Sequence, residues 1–330
     1  MEKPKIRLIC PKHSRELEML ESAGKNVCSN GCDYPIINYI ARFVDDEDYA
    51  ESFGLQWNDF SKTQLDSYTG LSISRDRLTR IAGGSLDCFT GKTVLEVGCG
   101  AGRFTEIMLE AGGIVTAVDI SAAVEANFNN CSNYDNYFVI QADLRSLPFE
   151  NEQFDLVVCI GVIQHTPDPE EAMIKLCENV RPGGKLLIDH YTYGYPVTLT
   201  RRLLRSYLLK TNKAFSMRFC KLTTKILWPF HRALWYLRWL PLLGKLRKVF
   251  LLLSPVVDYH DAYPQLGPEL LYQWAILDTH DTLTDYYKHL RSAEEIEAAL
   301  LKCGMVVMEA KYAGNGVEVR AEKQIEQVSK

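Results

Sequence analysis

Three acids and three glycines, spaced along one stretch of chain, are the residues with the clearest capacity for chemistry. In VLEVGCGAGRF (Val94 to Phe104) an aliphatic run with Glu96 near its end empties into Gly98, Gly100 and Gly102. The spacing predicts a buried parallel strand, a turn beyond its carboxyl end, and a helix over Arg103 to Glu110. That crevice is where open α/β sheets bind ligands. Glycine suits it because the turn needs unusual backbone angles and the ligand must approach the main chain closely. Asp119 ends a second strand, Ile114 to Val118, and Asp143 follows a third, Tyr137 to Ile140. An acid in the second position can take both hydroxyls of a ribose, and Asp143 can accept from an adenine amine. The pattern is G-x-G-x-G preceded by an acid, not the G-x-G-x-x-G that holds a pyrophosphate. It disfavours phosphate and favours a cofactor carrying an amino acid and a positive charge. Buried Glu96 itself requires a cationic or donor partner.

A hydroxyl acceptor also needs a general base near neutral pH, for which histidine is the obvious side chain. His165 follows the fourth strand, and His190 with Tyr191 ends the fifth. Acid-flanked histidines recur in Asp258-Tyr259-His260-Asp261 and Asp278-Thr279-His280-Asp281. His165 and His260 rank first as bases, with His190 beside them.

VLEVGCGAG, AVDIS, QADLRSLPF, FDLVVCIGVIQH and RPGGKLLI resemble, in order, the motifs of class I S-adenosylmethionine-dependent methyltransferases. The branch most similar is the small-molecule, quinone-biosynthesis type, and the resemblance runs from Asp87 to His190. It implies a doubly wound α/β fold with a seven-stranded, mostly parallel sheet and an antiparallel last strand. It also implies that Gly98, Cys99, Gly100 and Gly102, with Glu96 and Arg103 alongside, hold the methionine end of S-adenosylmethionine. Asp119 and Ile120 would hold the ribose, Asp143 and Leu144 the adenine, and Ile160 to Val162 the sulfonium side. In related enzymes the segment before the first strand folds over the cofactor, which makes Gln64, Tyr68 and Arg75 candidates for the methionine carboxylate. The chain has no Asn/Asp-Pro-Pro-Tyr/Phe after the fourth strand, so an oxygen or carbon acceptor is favoured over a planar nitrogen.

The remaining elements divide the 330 residues into modules, with 47% apolar and 24% charged residues as in an ordinary globular protein. Residues 1–45 form a ribbon-like module in which CPKH and CSNGC supply Cys10, His13, Cys28 and Cys32, a donor set for structural Zn2+. The stretch Leu17 to Val27 between them reads as strand. YPIINYIARFV resembles the tail of small zinc-ribbon proteins that accompany some methyltransferases, although here one ligand is His and the last pair is spaced by three residues. Residues 46–86 are a linker or lid, 87–190 the cofactor-binding core, 191–290 a helical insert, and 291–330 a helix (Ser292 to Met305) and hairpin (Val306 to Tyr312, Gly316 to Ala321) that complete the core.

The insert is charge-biased: Tyr191 to Val257 holds thirteen Lys plus Arg and no Asp or Glu, leaving 24 basic and 42 acidic residues elsewhere. Trp228, Trp235 and Trp239 lie in it, and leucines recur at helical spacing around Arg201 to Leu209 and Leu234 to Leu243. Three readings stay open: a cap with a solvated basic face, a surface over residues 195–257 for a membrane lipid or lipid-linked acceptor, and a nucleic-acid surface. Arg232, Arg238 and Lys245 interrupt any spanning segment. The absence of an apolar leader and the scattered cysteines fit a cytoplasmic protein, peripheral to a membrane at most. The expected activity is methyl transfer to oxygen or carbon of a small-molecule, glycan-precursor or lipid-linked acceptor. A tRNA methyltransferase and a non-catalytic, cofactor-binding partner subunit are the alternatives.

Overall fold

A computed structural model describes residues 6–20, 24–44, 51–195 and 197–325. Four short strands come first: β1 (Leu17–Leu20), β2 (Lys25–Cys28), β3 (Asp33–Ile37) and β4 (Ile40–Arg42). The stretch expected as one strand over Leu17 to Val27 is therefore a hairpin, with Leu17 opposite Cys28 and Leu20 opposite Lys25. The segment before the core holds three helices, α1 (Glu51–Asp59), α2 (Asp66–Thr69) and α3 (Ile73–Ile81). The boundary expected at residues 45 and 46 lies outside the described residues.

The core alternates β5 (Thr93–Val97), α4 (Thr105–Glu110), β6 (Ile114–Asp119), α5 (Ala123–Cys131), β7 (Tyr137–Gln141), β8 (Phe154–Cys159), α6 (Pro169–Asn179) and β9 (Val180–Tyr191). The helix expected from Arg103 begins at Thr105, because Gly102 holds φ at +101° and prolongs the turn. Val94 packs with Leu78, Ile107 and Met108 on one face of the sheet. Leu95 and Val97 pack on the other, with Met173, Leu176, Ile296 and Leu300. Burial on both faces explains why these strands read as continuous apolar runs. Asp168 caps α6 by accepting from the amides of Glu170 and Glu171, with Pro169 in the first turn.

The insert forms α7 (Leu199–Leu208), α8 (Lys213–Tyr236), α9 (Pro241–Leu253) and α10 (Gly267–Thr284). Leu234 to Leu243, expected to be helical throughout, is broken before Pro241, which starts α9. Helix α11 (Ala293–Lys302) opens with a reciprocal Ser292–Glu295 capping box and stops short of the expected Met305, where β10 (Met305–Ala313) begins. The hairpin closes with β11 (Gly316–Lys323).

The sheet order is β1-β2-β3-β4-β7-β6-β5-β8-β9-β11-β10. From β7 to β9 all pairings are parallel, and β11 runs antiparallel between β9 and β10. This is the expected seven-stranded core with its one reversed strand. The N-terminal strands extend it: β4 pairs in parallel with β7 through Ala41–Ile140 and Arg42–Gln141. No described helix is long and apolar enough to cross a membrane.

Candidate active site

The amides of Gly98 and Cys99 donate to the Val118 carbonyl at 2.7 and 3.0 Å, pinning the glycine turn to the end of β6. There the Asp119 Oδ2 accepts from the Gly100 amide at 2.9 Å, and Oδ1 accepts from the amide and hydroxyl of Ser121 at 2.9 and 2.7 Å. Each oxygen keeps further acceptor capacity for a ligand hydroxyl. Burial raises the Asp119 carboxyl, and those hydrogen bonds oppose the rise. A side chain at Gly98 has no room: a Cβ would fall 2.1 Å from Val162 Cγ2, at a φ of +76°. At Gly100 a Cβ would approach the Trp57 indole to 3.2 Å. These two glycines keep a cradle open.

The cradle forms one end of a cavity of about 490 Å³, within the usual ligand range of about 300–1,000 Å³. Gly98, Cys99, Gly100, Arg103, Asp119, Ile120, Leu144, Ile160 and Val162 all line it. Three expected cofactor residues stand elsewhere. Glu96 is buried behind the turn, where its Oε2 accepts from Thr105 Oγ1 at 2.5 Å, and burial pushes its carboxyl up to about 8. That hydroxyl is the partner its burial demanded. Gly102 faces α5, since a Cβ would meet Cys131 Sγ at 3.1 Å. Asp143 turns back onto Arg145, accepting from its amide at 2.9 Å and pairing with its guanidinium at 2.6 Å.

Arginines also line the cavity. Arg103 donates from Nη1 to Gln64 Oε1 at 2.5 Å and from Nε to Ser74 Oγ at 3.1 Å, with its guanidinium 4.8 Å from the Phe104 ring centre. Burial, with help from neighbouring Arg77, lowers it to about 10. Arg77 also lines the cavity and pairs with Asp189, whose Oδ1 accepts from the Gly161 amide at 2.6 Å. Of the lid candidates only Gln64 reaches the cavity. Tyr68 is exposed, and Arg75 pairs with Glu110 on the surface.

The far end is built by the cap. His165 lines the cavity, its ring against Tyr191 and Phe53. Its Nδ1 lies 3.0 Å from the Tyr287 carbonyl, which can only accept, so Nδ1 carries a proton and, in the neutral ring, Nε2 keeps a lone pair. The other two candidate bases are displaced. His260 is buried in the cap, with Nδ1 2.7 Å from Asp258 Oδ1 and its ring stacked on Trp228. Alternation along β9 turns His190 away from the cavity that Tyr191 lines, and its Nδ1 donates to the Tyr191 carbonyl at 2.7 Å. Burial lowers its pKa below the usual histidine range.

In their place stand Asp278 and Asp281, three residues apart on α10 and therefore on one face. Both line the main cavity and a second one of about 530 Å³, which they share with Tyr191 and Tyr259. Burial raises the Asp278 carboxyl to about 7, against hydrogen bonds from Tyr259 and Gln64 and with Asp281 adding to the rise. Asp281 is raised by burial too, and His165 opposes this. The i, i+3 pair was visible in the sequence only as the flanks of His280. That histidine instead meets Gln56 Oε1 at 2.8 Å, buried away from the cavity.

In the ribbon, His13 Nδ1 lies 3.6 Å from Cys10 Sγ, 3.7 Å from Cys28 Sγ and 3.5 Å from Cys32 Sγ. A tetrahedral ion with Zn–S of about 2.3 Å and Zn–N of about 2.0–2.1 Å sets these separations near 3.5–3.6 Å. The three His13–sulfur separations match that geometry, and Cys10, His13 and Cys32 are the donors whose ligand atoms all lie within 4.8 Å of one another.

A methyltransferase domain model matches residues 95–188. A ubiquinone biosynthesis O-methyltransferase of Coxiella burnetii (strain Dugway 5J108-111) is 37% identical over 102 residues, 30% of this chain and 43% of that protein. The mitochondrial ubiquinone biosynthesis O-methyltransferase of Schizosaccharomyces pombe is 30% identical over 157 residues, 44% of this chain and 52% of that protein. The chain thus spans about half the length of the curated relatives it matches. The magnesium protoporphyrin IX methyltransferase of Synechocystis PCC 6803, solved with bound SAH, is 16% identical at a TM-score of 0.45, over 84% of this chain and 98% of that one.

Proposed function

We propose that this chain, whose core is a class I S-adenosylmethionine-dependent methyltransferase domain, methylates an oxygen of a small-molecule or lipid-linked acceptor. When bound, S-adenosylmethionine supplies an electrophilic methyl group on a sulfonium. The observation that carries the reading is Asp119: a carboxylate at the tip of β6, fixed by the Gly100 amide, opens onto a cradle that a side chain at Gly98 would fill. Asp119 takes the ribose hydroxyls, while Arg103 and Gln64 face the methionine carboxylate. Leu144 and Ile120 pack on the adenine.

Methyl transfer needs collinear approach and exclusion of water more than covalent help. An acceptor bound in the second cavity lies against Asp278 and Asp281, which line it. As the new carbon–oxygen bond forms and the carbon–sulfur bond breaks, the acceptor's proton passes to the Asp278 carboxylate. A carboxyl group that titrates near neutrality is matched to that task. His165 orients the acceptor through Nε2. A planar-nitrogen acceptor has no matching motif, and the small-molecule O-methyltransferases among the relatives do not favour RNA.

Cys10, His13, Cys28 and Cys32 hold a structural zinc ion, which stabilises a segment too small to bury a core of its own. None of the ten cysteines forms a disulfide. The test is incubation of the full chain with tritiated S-adenosylmethionine and fractionated lipid, small-molecule and RNA pools. Label in a lipid or small-molecule product, released as methanol by ester hydrolysis or as methyl iodide by ether cleavage with hydriodic acid, supports the reading. Label confined to RNA contradicts it.

A further inference from the structure

The cap carries a surface that neither cavity uses. On α7, Leu199, Leu203 and Tyr207 face solvent at four-residue steps, and Leu222, Ile226 and Phe230 do so on α8. Leu242, Leu246, Val249 and Leu253 continue the pattern on α9 at three- and four-residue steps. Such steps keep side chains on one helix face, so each helix presents an apolar stripe to water. The α8–α9 turn concentrates it, with Trp239 73% and Leu242 77% exposed. Monomeric proteins rarely leave so much contiguous apolar surface without a partner.

Cations border the stripes. Arg218, Lys225 and Arg232 recur every seven residues along α8, on the face next to Leu222 and Ile226, and Lys245 and Lys248 lie beside the α9 stripe; all five are exposed. Other cations of the insert are already matched, Arg205 with Asp285, Lys221 with Asp59 and Arg247 with Asp261. Among the described residues no carboxylate pairs with those five outer cations. Since 191–257 contains no Asp or Glu, a second copy would bring like charge against them. Nucleic acid would satisfy the cations and leave the leucines and Trp239 in water. An anionic bilayer surface satisfies both: acyl boundary for the apolar stripe, headgroup phosphates for the cations. Lysine and arginine stems reach sideways from such a depth to keep their charge in the headgroups.

We propose that the α8–α9 hairpin docks on an anionic lipid surface, with Trp239 and Leu242 in the acyl boundary and Arg218, Lys225 and Arg232 among the headgroups. Arg201, on α7, lines the second cavity, and its guanidinium donates to the Pro255 and Val256 carbonyls just beyond α9. The proposal stands independently of which acceptor the site takes.

The experiment is co-sedimentation of the full chain with vesicles of phosphatidylcholine alone or mixed with phosphatidylglycerol, at low and high salt. Selective recovery on the mixed vesicles, weakened by salt, is expected. Each basic residue near an anionic surface is worth roughly fivefold in partitioning, so R218S/K225S/R232S weakens recovery about 100-fold. W239E/L242E abolishes it, while both exposed-site variants keep the wild-type melting temperature. Equal recovery on both compositions, or none on either, overturns the proposal. So does a wild-type dimer that W239E/L242E dissociates, or RNA binding that survives W239E/L242E in protein that ignores vesicles.

Discussion

Replacing Asp278 with Asn removes one ionisable oxygen where the two cavities meet and leaves the side-chain volume nearly unchanged. Burial holds that carboxyl near 7, far above an ordinary aspartate. As the base, it is active only when ionised, so wild-type kcat/KM climbs with pH through about 7 and falls about fivefold from pH 7 to pH 6. Asn cannot take the proton, and loss of general-base assistance is worth about 10²–10⁴ in turnover, or about 3–5 kcal/mol of barrier. The acid limb should vanish with it. Stability moves the other way. A folded-state pKa above the unfolded one makes ionisation unfavourable in the fold, so wild type loses stability as pH rises from about 4 to about 7. The Asn variant escapes that loss, and above about pH 7 its melting temperature should equal or exceed wild type. The assay is steady-state transfer from labelled cofactor across pH, beside thermal melts and a cofactor Kd that stays unchanged. Turnover within about threefold of wild type, with the acid limb intact, would refute the assignment.

His165→Asn removes the Nε2 acceptor without touching the carboxylates. It should raise the acceptor KM about tenfold and cost kcat less than D278N does; loss of the acid limb in H165N instead would move the base from Asp278 to His165. Purified native chain should contain about one zinc per molecule by metal analysis, and a chelator or Cys28→Ser should lower the melting temperature without altering the cofactor Kd. Zinc well below one per chain after dialysis would dismiss the metal.

The cofactor end was legible because its constraints are local. A strand, a positive-φ glycine turn and the acid that ends the next strand leave their marks within the twenty-six residues from Val94 to Asp119, and Gly98, Gly100 and Asp119 stand where that pattern put them. Asp143 was not fixed by the same reasoning, because Arg145 two residues on captures its carboxylate. The acceptor end depends on which distant elements meet. His260 was ranked for its flanking acids, yet Asp258 binds both His260 and His231 inside the cap. Asp278 owes its raised pKa to burial, with Asp281 adding to it, and the groups that oppose the rise, Tyr259, Arg103 and Gln64, come from three separate stretches of chain. No spacing rule within one segment contains that meeting. The N-terminal cysteines were visible as a ligand set, whereas the pairing of β4 with β7 was not, since Ile40–Arg42 is too short for a periodicity.

Titration calorimetry of the full chain with S-adenosylmethionine and with its demethylated product addresses the central claim most directly. Saturable heat at about one site per chain is expected from wild type. Asp119→Ala removes two hydrogen bonds to a charged acceptor and should weaken binding about 10²–10⁴-fold, with Asp119→Asn between the two. Folded wild-type protein giving no heat with either ligand, or an Asp119→Ala variant binding as tightly as wild type, would contradict the account.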